Sequence, residues 1–200
     1  MSYTSLHNHT EYSNLRLLDC INKVEDIIQY AHDIGLNGLA ITDHEALSSH
    51  IKALKFYNQK CKDDEGWKDF KLILGNEVYL CRNGLSPETY EKGERYPHFI
   101  LLAKDEVGHA QLRELSTRAW KHSFTMFMTR VPTYYSDIEE VVGSNPGHIV
   151  ASSACIGGWL GICKLNGAEQ NAIAFIKWCN NSNTCACKYS HNFPPSSYLI

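Results

Sequence analysis

Four short apolar runs in this 200-residue chain end on, or lead into, side chains able to ligate a metal ion, and this repetition constrains the fold more than any other feature. The first run, Tyr3 to His9, reads as a strand. His7 and His9 stand at i and i+2 within it, positions that an extended backbone points to the same face. Leu39-Ala40-Ile41-Thr42 ends in Asp43-His44, Leu72-Ile73-Leu74-Gly75 leads into Glu77, and Ile149-Val150-Ala151 leads to Cys155. Imidazole, carboxylate and thiolate form a donor set suited to zinc, manganese or iron. One such ending would be noise, whereas four in order predict a site.

Between these runs the periodicity turns helical. Val24, Ile27, Ile28 and Ala31 recur at i, i+3, i+4 and i+7, predicting a helix over 23–34 with Gly35 at C′. Further helices are expected over 48–60, with Ile51, Leu54 and Tyr57 on one face, and over 107–121, 136–142 and 167–179. Strands are expected over 3–9, 39–42, 71–74 (continuing into 78–80), 98–103 and 148–152, with a polar loop carrying Gly84, Pro87 and Gly93 before the fourth. Strands alternating with helices imply βα units and a parallel sheet or barrel. A (β/α) barrel carries its chemistry at the C-terminal ends of its strands. His7, His9, Asp43, His44, Glu77 and Cys155 fall there, whereas His98 opens its strand and fits this picture poorly.

The composition is globular, 44% hydrophobic and 20% charged, and the net charge of −3 excludes a global basic field for nucleic acid or anionic membrane. The start is polar, with no signal peptide, and no apolar run reaches the roughly 18 residues of a membrane span. A cytoplasmic protein with no membrane partner is expected. In that setting the eight cysteines are thiols packed as small apolar residues. Periodicity stops at Asn180, so 1–179 is expected to be one domain and 180–200 an irregular tail. Cys179, Cys185, Cys187 and His191 lack the usual Cys-x2–4-Cys spacing of a zinc site.

The ordered set Leu6-His7-Asn8-His9-Thr10-Glu11-Tyr12-Ser13, Leu17-Leu18-Asp19, Ala40-Ile41-Thr42-Asp43-His44, Gly75-Asn76-Glu77-Val78-Tyr79, His98-Phe99-Ile100-Leu101-Leu102-Ala103-Lys104 and Ser152-Ser153-Ala154-Cys155-Ile156-Gly157-Gly158 strongly resembles the polymerase-and-histidinol-phosphatase (PHP) domain. More narrowly, it resembles the version at the N-terminus of the alpha subunit of bacterial-type, C-family DNA polymerase III, phage enzymes included. The resemblance spans roughly residues 3 to 165. It implies an α/β fold, a distorted (β/α)7 barrel with up to three divalent metal ions at its strand ends. The implied ligands are His7, His9, Asp19, His44, Glu77 as a bridging carboxylate, His98 and Cys155. It also implies a grouping in which His7, His9, Glu77 and Cys155 hold one cluster while His44 and His98 serve the neighbouring ion. Glu77 and Asp43 are the implied catalytic carboxylates. For Asp43, orientation of the site and capping of the following helix remain alternatives that can coexist.

Two departures accompany the likeness. Asn14-Leu15-Arg16 separates Ser13 from Leu17-Leu18-Asp19, where the family runs directly on. The family also completes its site with an Asp-x-His pair, which this chain lacks; after Lys164 its only acidic residue is Glu169. An incomplete barrel is therefore expected, from a truncated or frame-shifted end, and with it little hydrolysis by the chain alone. The implied function is a replicative polymerase domain working on DNA with other replisome subunits. It is part of a nucleotidyltransferase and carries a metal-dependent phosphoesterase or 3′–5′ exonuclease-type site, although no polymerase palm is encoded here. Two alternatives are a stand-alone PHP phosphoesterase acting on a small phosphate monoester and a non-catalytic scaffold.

Overall fold

Lys71–Cys81, a largely apolar run, is the longest strand among the described residues, and the sheet is assembled on its two edges. The computed structural model describes residues 3–15, 20–81, 96–125 and 129–181. Asp19, the loop with Gly84, Pro87 and Gly93, and the tail from 182 onward with Cys185, Cys187 and His191 lie outside the described residues. In chain order the strands are β1 (Thr4–Ser5), β2 (Gly38–Ile41), β3 (Lys71–Cys81), β4 (His98–Ala103), β5 (Phe124–Thr125), β6 (Thr129–Arg130), β7 (Pro132–Tyr134) and β8 (Ile149–Ser152). The α-helices are α1 (Val24–Asp33), α2 (His50–Asp63), α3 (Glu106–Lys121), α4 (Tyr135–Val141), α5 (Trp159–Leu165) and α6 (Glu169–Asn181).

Six strands form one sheet in the order β1-β2-β3-β4-β8, with β7 also on β3, while β5 and β6 make a separate hairpin. Tyr79 pairs with His98 of β4 and with Pro132 of β7, so these two strands occupy opposite edges of β3. The first three strands are parallel, as βα units require. The expectation of an all-parallel sheet fails at β4, which runs antiparallel to both β3 and β8. Its reversal brings His98, the first residue of β4, to the end where the parallel strands finish. The sheet curls as an incomplete barrel of mixed α/β architecture.

Period-2 alternation divides the strands between two apolar layers. Outward, Val78, Leu80, Phe99, Leu101, Ile149 and Ala151 lie beneath Leu112 and Leu115 of α3, Ile138 of α4 and Phe175 of α6. Leu39 and Ile41 lie against Val24, Ile28 and Ala31 of α1, Ala53 of α2, and Trp67 with Phe70. Inward, Ala40, Ile73, Ile100, Leu102 and Val150 form a smaller cluster. Coverage of both faces explains why these strands read as continuous apolar runs.

Helix positions follow the periodicity closely, and α1 ends before Gly35, whose φ of +77° suits C′. Two expectations need correction. Strand pairing at the N-terminus covers only Thr4–Ser5, because from Asn8 onward the chain is held by its side chain and by Thr42 rather than by a ladder. The buried side of α2 is set by His50 and Ala53, leaving Ile51 60% exposed. His50 itself is buried because its ring finds a backbone acceptor in the sheet. The short helix α5 and the strands β5, β6 and β7 carried too little periodicity to be expected.

Candidate metal centre

Glu77 stands on the inward face of β3, two residues before Tyr79, and is fully buried. β2 continues past Ile41 to meet it. Glu77 N–H donates to Asp43 O (3.1 Å), Glu45 N–H donates to Glu77 O (2.9 Å), and His44 and Glu77 form a parallel bridge. This register brings His44 Nδ1 to 3.1 Å from Glu77 Oε2. Beyond His44 the chain must turn away, and Glu45 adopts a left-handed φ of 53° to do so. Trp120 Nε1–H secures that turn by donating to Glu45 O (3.1 Å).

The segment after β1 is clipped to the same extension. Asn8 N–H donates to Thr42 Oγ1 (3.0 Å), Thr42 N–H donates to Asn8 O (2.9 Å), and the Asn8 amide donates to Ala40 O (3.0 Å). With Asn8 held, its neighbours turn their rings to one side. His7 Nε2 and His9 Nε2 lie 3.2 and 3.0 Å from Glu77 Oε2, and 3.0 Å from each other.

The antiparallel β4 supplies the opposite wall, with His98 Nδ1 2.7 Å from Glu77 Oε1. Cys155 follows β8 in a tight turn, where Ala154 has φ 58° and a Cβ on Gly158 would lie 1.8 Å from Ser153 O. His98 N–H donates to Gly157 O (3.1 Å), which locks the turn to β4. Cys155 Sγ then sits 3.5 Å from His98 Nδ1 and accepts from Gly157 N–H (3.4 Å).

Among the described residues two ligand-type groups result, His7–His9–Glu77 and Glu77–His98–Cys155, the ligand atoms of each lying within 4.8 Å of one another. Glu77 belongs to both. Burial acts most strongly on its carboxyl and would raise the pKa. The close imidazoles of His7, His9 and His98, together with the charge of His44, outweigh burial and hold it well below the usual carboxylate range. Glu77 Oε1 is buried and no aligned hydrogen bond reaches it, close though His98 is. A buried carboxylate with one such oxygen beside the His98 nitrogen, and the other facing His7, His9 and His44, fits cations shared by these side chains. The nitrogen, oxygen and sulfur donors together suit zinc, iron or manganese.

Of the sequence-predicted ligands, the fold brings His7, His9, His44, Glu77, His98 and Cys155 to this one end; Asp19 lies outside the described residues. The grouping differs from the one expected. Cys155 stands with His98, while His44 meets the Glu77 oxygen shared by His7 and His9. Asp43 faces elsewhere, accepting from Thr10 N–H (2.6 Å) and from the hydroxyls of Thr10, Ser13 and Ser49. Sequence reasoning missed Ser13, Ser49 and Tyr79, whose hydroxyl lies 3.3 Å from His44 Nδ1. The hydroxyl residues spaced closely after His9 were the available signal.

The sequence profile of the PHP domain matches residues 5–183. The DNA-directed DNA polymerase of Bacillus phage SPbeta is 42% identical over 191 residues, covering 86% of this chain and 15% of the phage protein. DNA polymerase III subunit alpha of Helicobacter pylori (strain 26695) is 29% identical over 198 residues, covering 99% of this chain and 15% of its own. The corresponding subunit of Treponema pallidum is 31% identical over 173 residues, covering 86% and 13%. The chain thus spans under a sixth of the length of these curated relatives, at 15% and 13%.

Proposed function

This chain belongs to the PHP domain family, and from that premise we propose that it is the N-terminal domain of a C-family replicative DNA polymerase alpha subunit with a metal-dependent phosphoester-cleaving site. The observation that carries the reading is the position of Glu77, whose two oxygens face separate groups of nitrogen and sulfur ligands. His7, His9, His44 and Glu77 would hold one ion, and Glu77, His98 and Cys155 a second. When bound, a close pair of divalent ions supplies a hydroxide from water and an electrophile for the leaving oxygen of a phosphoester.

The chain's own side chains supply the rest. Glu77, kept ionised by its histidines, bridges the two groups and fixes their separation. Tyr79 sets the His44 ring, and Asp43 holds the turn carrying His9 and Ser13. We assign Asp43 this orienting role, since both of its oxygens are taken up by hydroxyl and amide donors. The substrate class is a DNA 3′ end presented by the parent polymerase in the cytoplasm, alongside other replisome subunits.

Counting bound zinc or manganese in the purified chain tests this. Wild type should bind two ions and Cys155→Ser one, and Glu77→Gln should bind at least about 100-fold more weakly at both positions. Equal stoichiometry in all three would sink it. In a second reading, the same residues hold metal in a scaffold without turnover. Chelator-sensitive release of 3′ nucleotides from single-stranded DNA supports the first reading, and full metal loading without release supports the second.

A further inference from the structure

We propose that Trp120, at the end of α3, is a positioning residue that latches the strained turn after His44 and so holds His44 against Glu77. Among the described residues, the non-glycine positions with a left-handed φ are Glu45 (53°) and Ala154 (58°), the immediate neighbours of His44 and Cys155. A residue with a Cβ disfavours that conformation, which persists only where surrounding contacts enforce it. At Glu45 those contacts can be named. Asn76, beside Glu77 on β3, donates its amide to Asp43 O (2.8 Å) and Ala46 O (3.2 Å), pinning the turn on either side. Glu45 N–H donates to Glu77 O (2.9 Å). Glu45 O accepts from Trp120 Nε1–H (3.1 Å), across 75 positions of sequence.

The topology explains why this bond comes from α3. β4 begins at the centre with His98 and runs away from it, and α3 starts at the far end, where Gly108 packs against His148 and Ala103. The helix then leads back and brings its last turn to Glu45. Leu112, Leu115 and Ala119 are buried beneath it, which makes α3 a firm support. An indole Nε1 carries one proton and cannot accept, so the bond to Glu45 O has one direction. Trp120 stays 43% exposed, so its polar end rather than core burial ties it to the turn. The consequence falls on one half of the centre. His44 Nδ1 lies 3.1 Å from Glu77 Oε2, and its ring stacks on His9 with centroids 4.2 Å apart at 22°. Release of the turn would shift His44 within the group of His7, His9 and Glu77. His98 and Cys155, carried by β4 and the turn after β8, would keep their places. The effect on metal affinity rests on the metal-centre reading above, whereas the latch itself does not.

Trp120→Phe keeps a ring and removes the donor. In the metal-stripped 200-residue chain, amide hydrogen exchange at Glu77, whose N–H donates to Asp43 O, should become about 5- to 10-fold faster in this variant. In competition with a chromophoric chelator, one of two zinc ions should bind about 10-fold more weakly. Cobalt-substituted protein should keep its thiolate-to-metal absorption. Adding Glu45→Gly should restore both exchange and affinity, because glycine adopts a left-handed φ without a latch. A folded Trp120→Phe chain with wild-type exchange at Glu77 overturns the proposal. So does a loss that Glu45→Gly fails to restore, or one shared equally by both ions, since either marks a general packing role. If Trp120→Phe does not fold, the wild type decides: a Trp120 indole proton protected from exchange supports the latch, and one exchanging as fast as free indole overturns it. Faster Glu77 exchange that Glu45→Gly restores, in a protein whose wild type binds no zinc, upholds the latch and rejects the metal centre.

Discussion

His50 donates its Nε2 proton to the carbonyl oxygen of Gly75 across 2.9 Å, tying the first residue of α2 to β3 two residues before Glu77. A carbonyl only accepts, so His50 Nδ1 is the acceptor end of the ring. It lies 3.1 Å from His109 Nε2, and His109 Nδ1 lies 3.1 Å from Arg113 Nη1. Arg113, His109, His50 and Gly75 thus form one donor-to-acceptor chain in which neutral imidazoles satisfy every link.

This chain predicts acid sensitivity. Burial lowers the His50 pKa to about 4 from an ordinary 6.5, with neighbouring His109 adding to the effect and the Gly75 bond opposing it. Above 6.5 both the folded and unfolded forms carry a neutral His50. As pH falls below 6.5 the unfolded chain takes up the proton first, so stability declines until about pH 4. The full loss is roughly 3 kcal/mol. Urea unfolding between pH 7.5 and 4 should show this slope in the wild type and a shallower one in His50→Gln, which can still donate to Gly75. Parallel slopes would disprove the assignment.

Removing the Asp43 carboxylate strands the Thr10 N–H and the hydroxyls of Thr10, Ser13 and Ser49 in a fully buried site. Each buried donor left without a partner costs about 1–3 kcal/mol. Asp43→Ala should therefore destabilise the chain by at least about 3 kcal/mol, seen as a lower urea midpoint with an unchanged slope. A loss under about 1 kcal/mol would mean that the buried hydroxyls are not held by Asp43.

Gly158→Ala separates the two halves of the centre. The new Cβ would fall 1.8 Å from Ser153 O and 3.1 Å from Cys155 O, so the turn carrying Cys155 must open. Overpacking of this kind costs about 1–3 kcal/mol. The group formed by His7, His9 and Glu77 shares no backbone with that turn and should keep its ion. Cobalt-substituted protein should lose the thiolate-to-metal absorption while retaining half of its cobalt. Retention of the thiolate band would show that Cys155 does not depend on the turn.

Residue by residue, the sequence alone settled what local periodicity and donor chemistry can settle. Alternation in an extended segment placed His7 and His9 on one side, and the apolar runs before Asp43-His44 and Glu77 marked strands ending in polar side chains. The family likeness named the expected ligands, His98 and Cys155 included. Tertiary structure decided the pairings between distant segments. The reversal of β4 carries His98 to the site, and the turn after β8 sets Cys155 beside His98 rather than beside His7. The seat found for His50 on Gly75 buries a polar residue and leaves Ile51 in solvent. Asp43 shows the division most clearly. Its position after a strand is local information, but its partners Thr10, Ser13 and Ser49 converge on it only when β2 lies between the N-terminal segment and β3. Strand direction and hydrogen-bond partners depend on contacts between residues far apart in the chain, and period-2 or period-3.6 patterns record only which face of an element is buried.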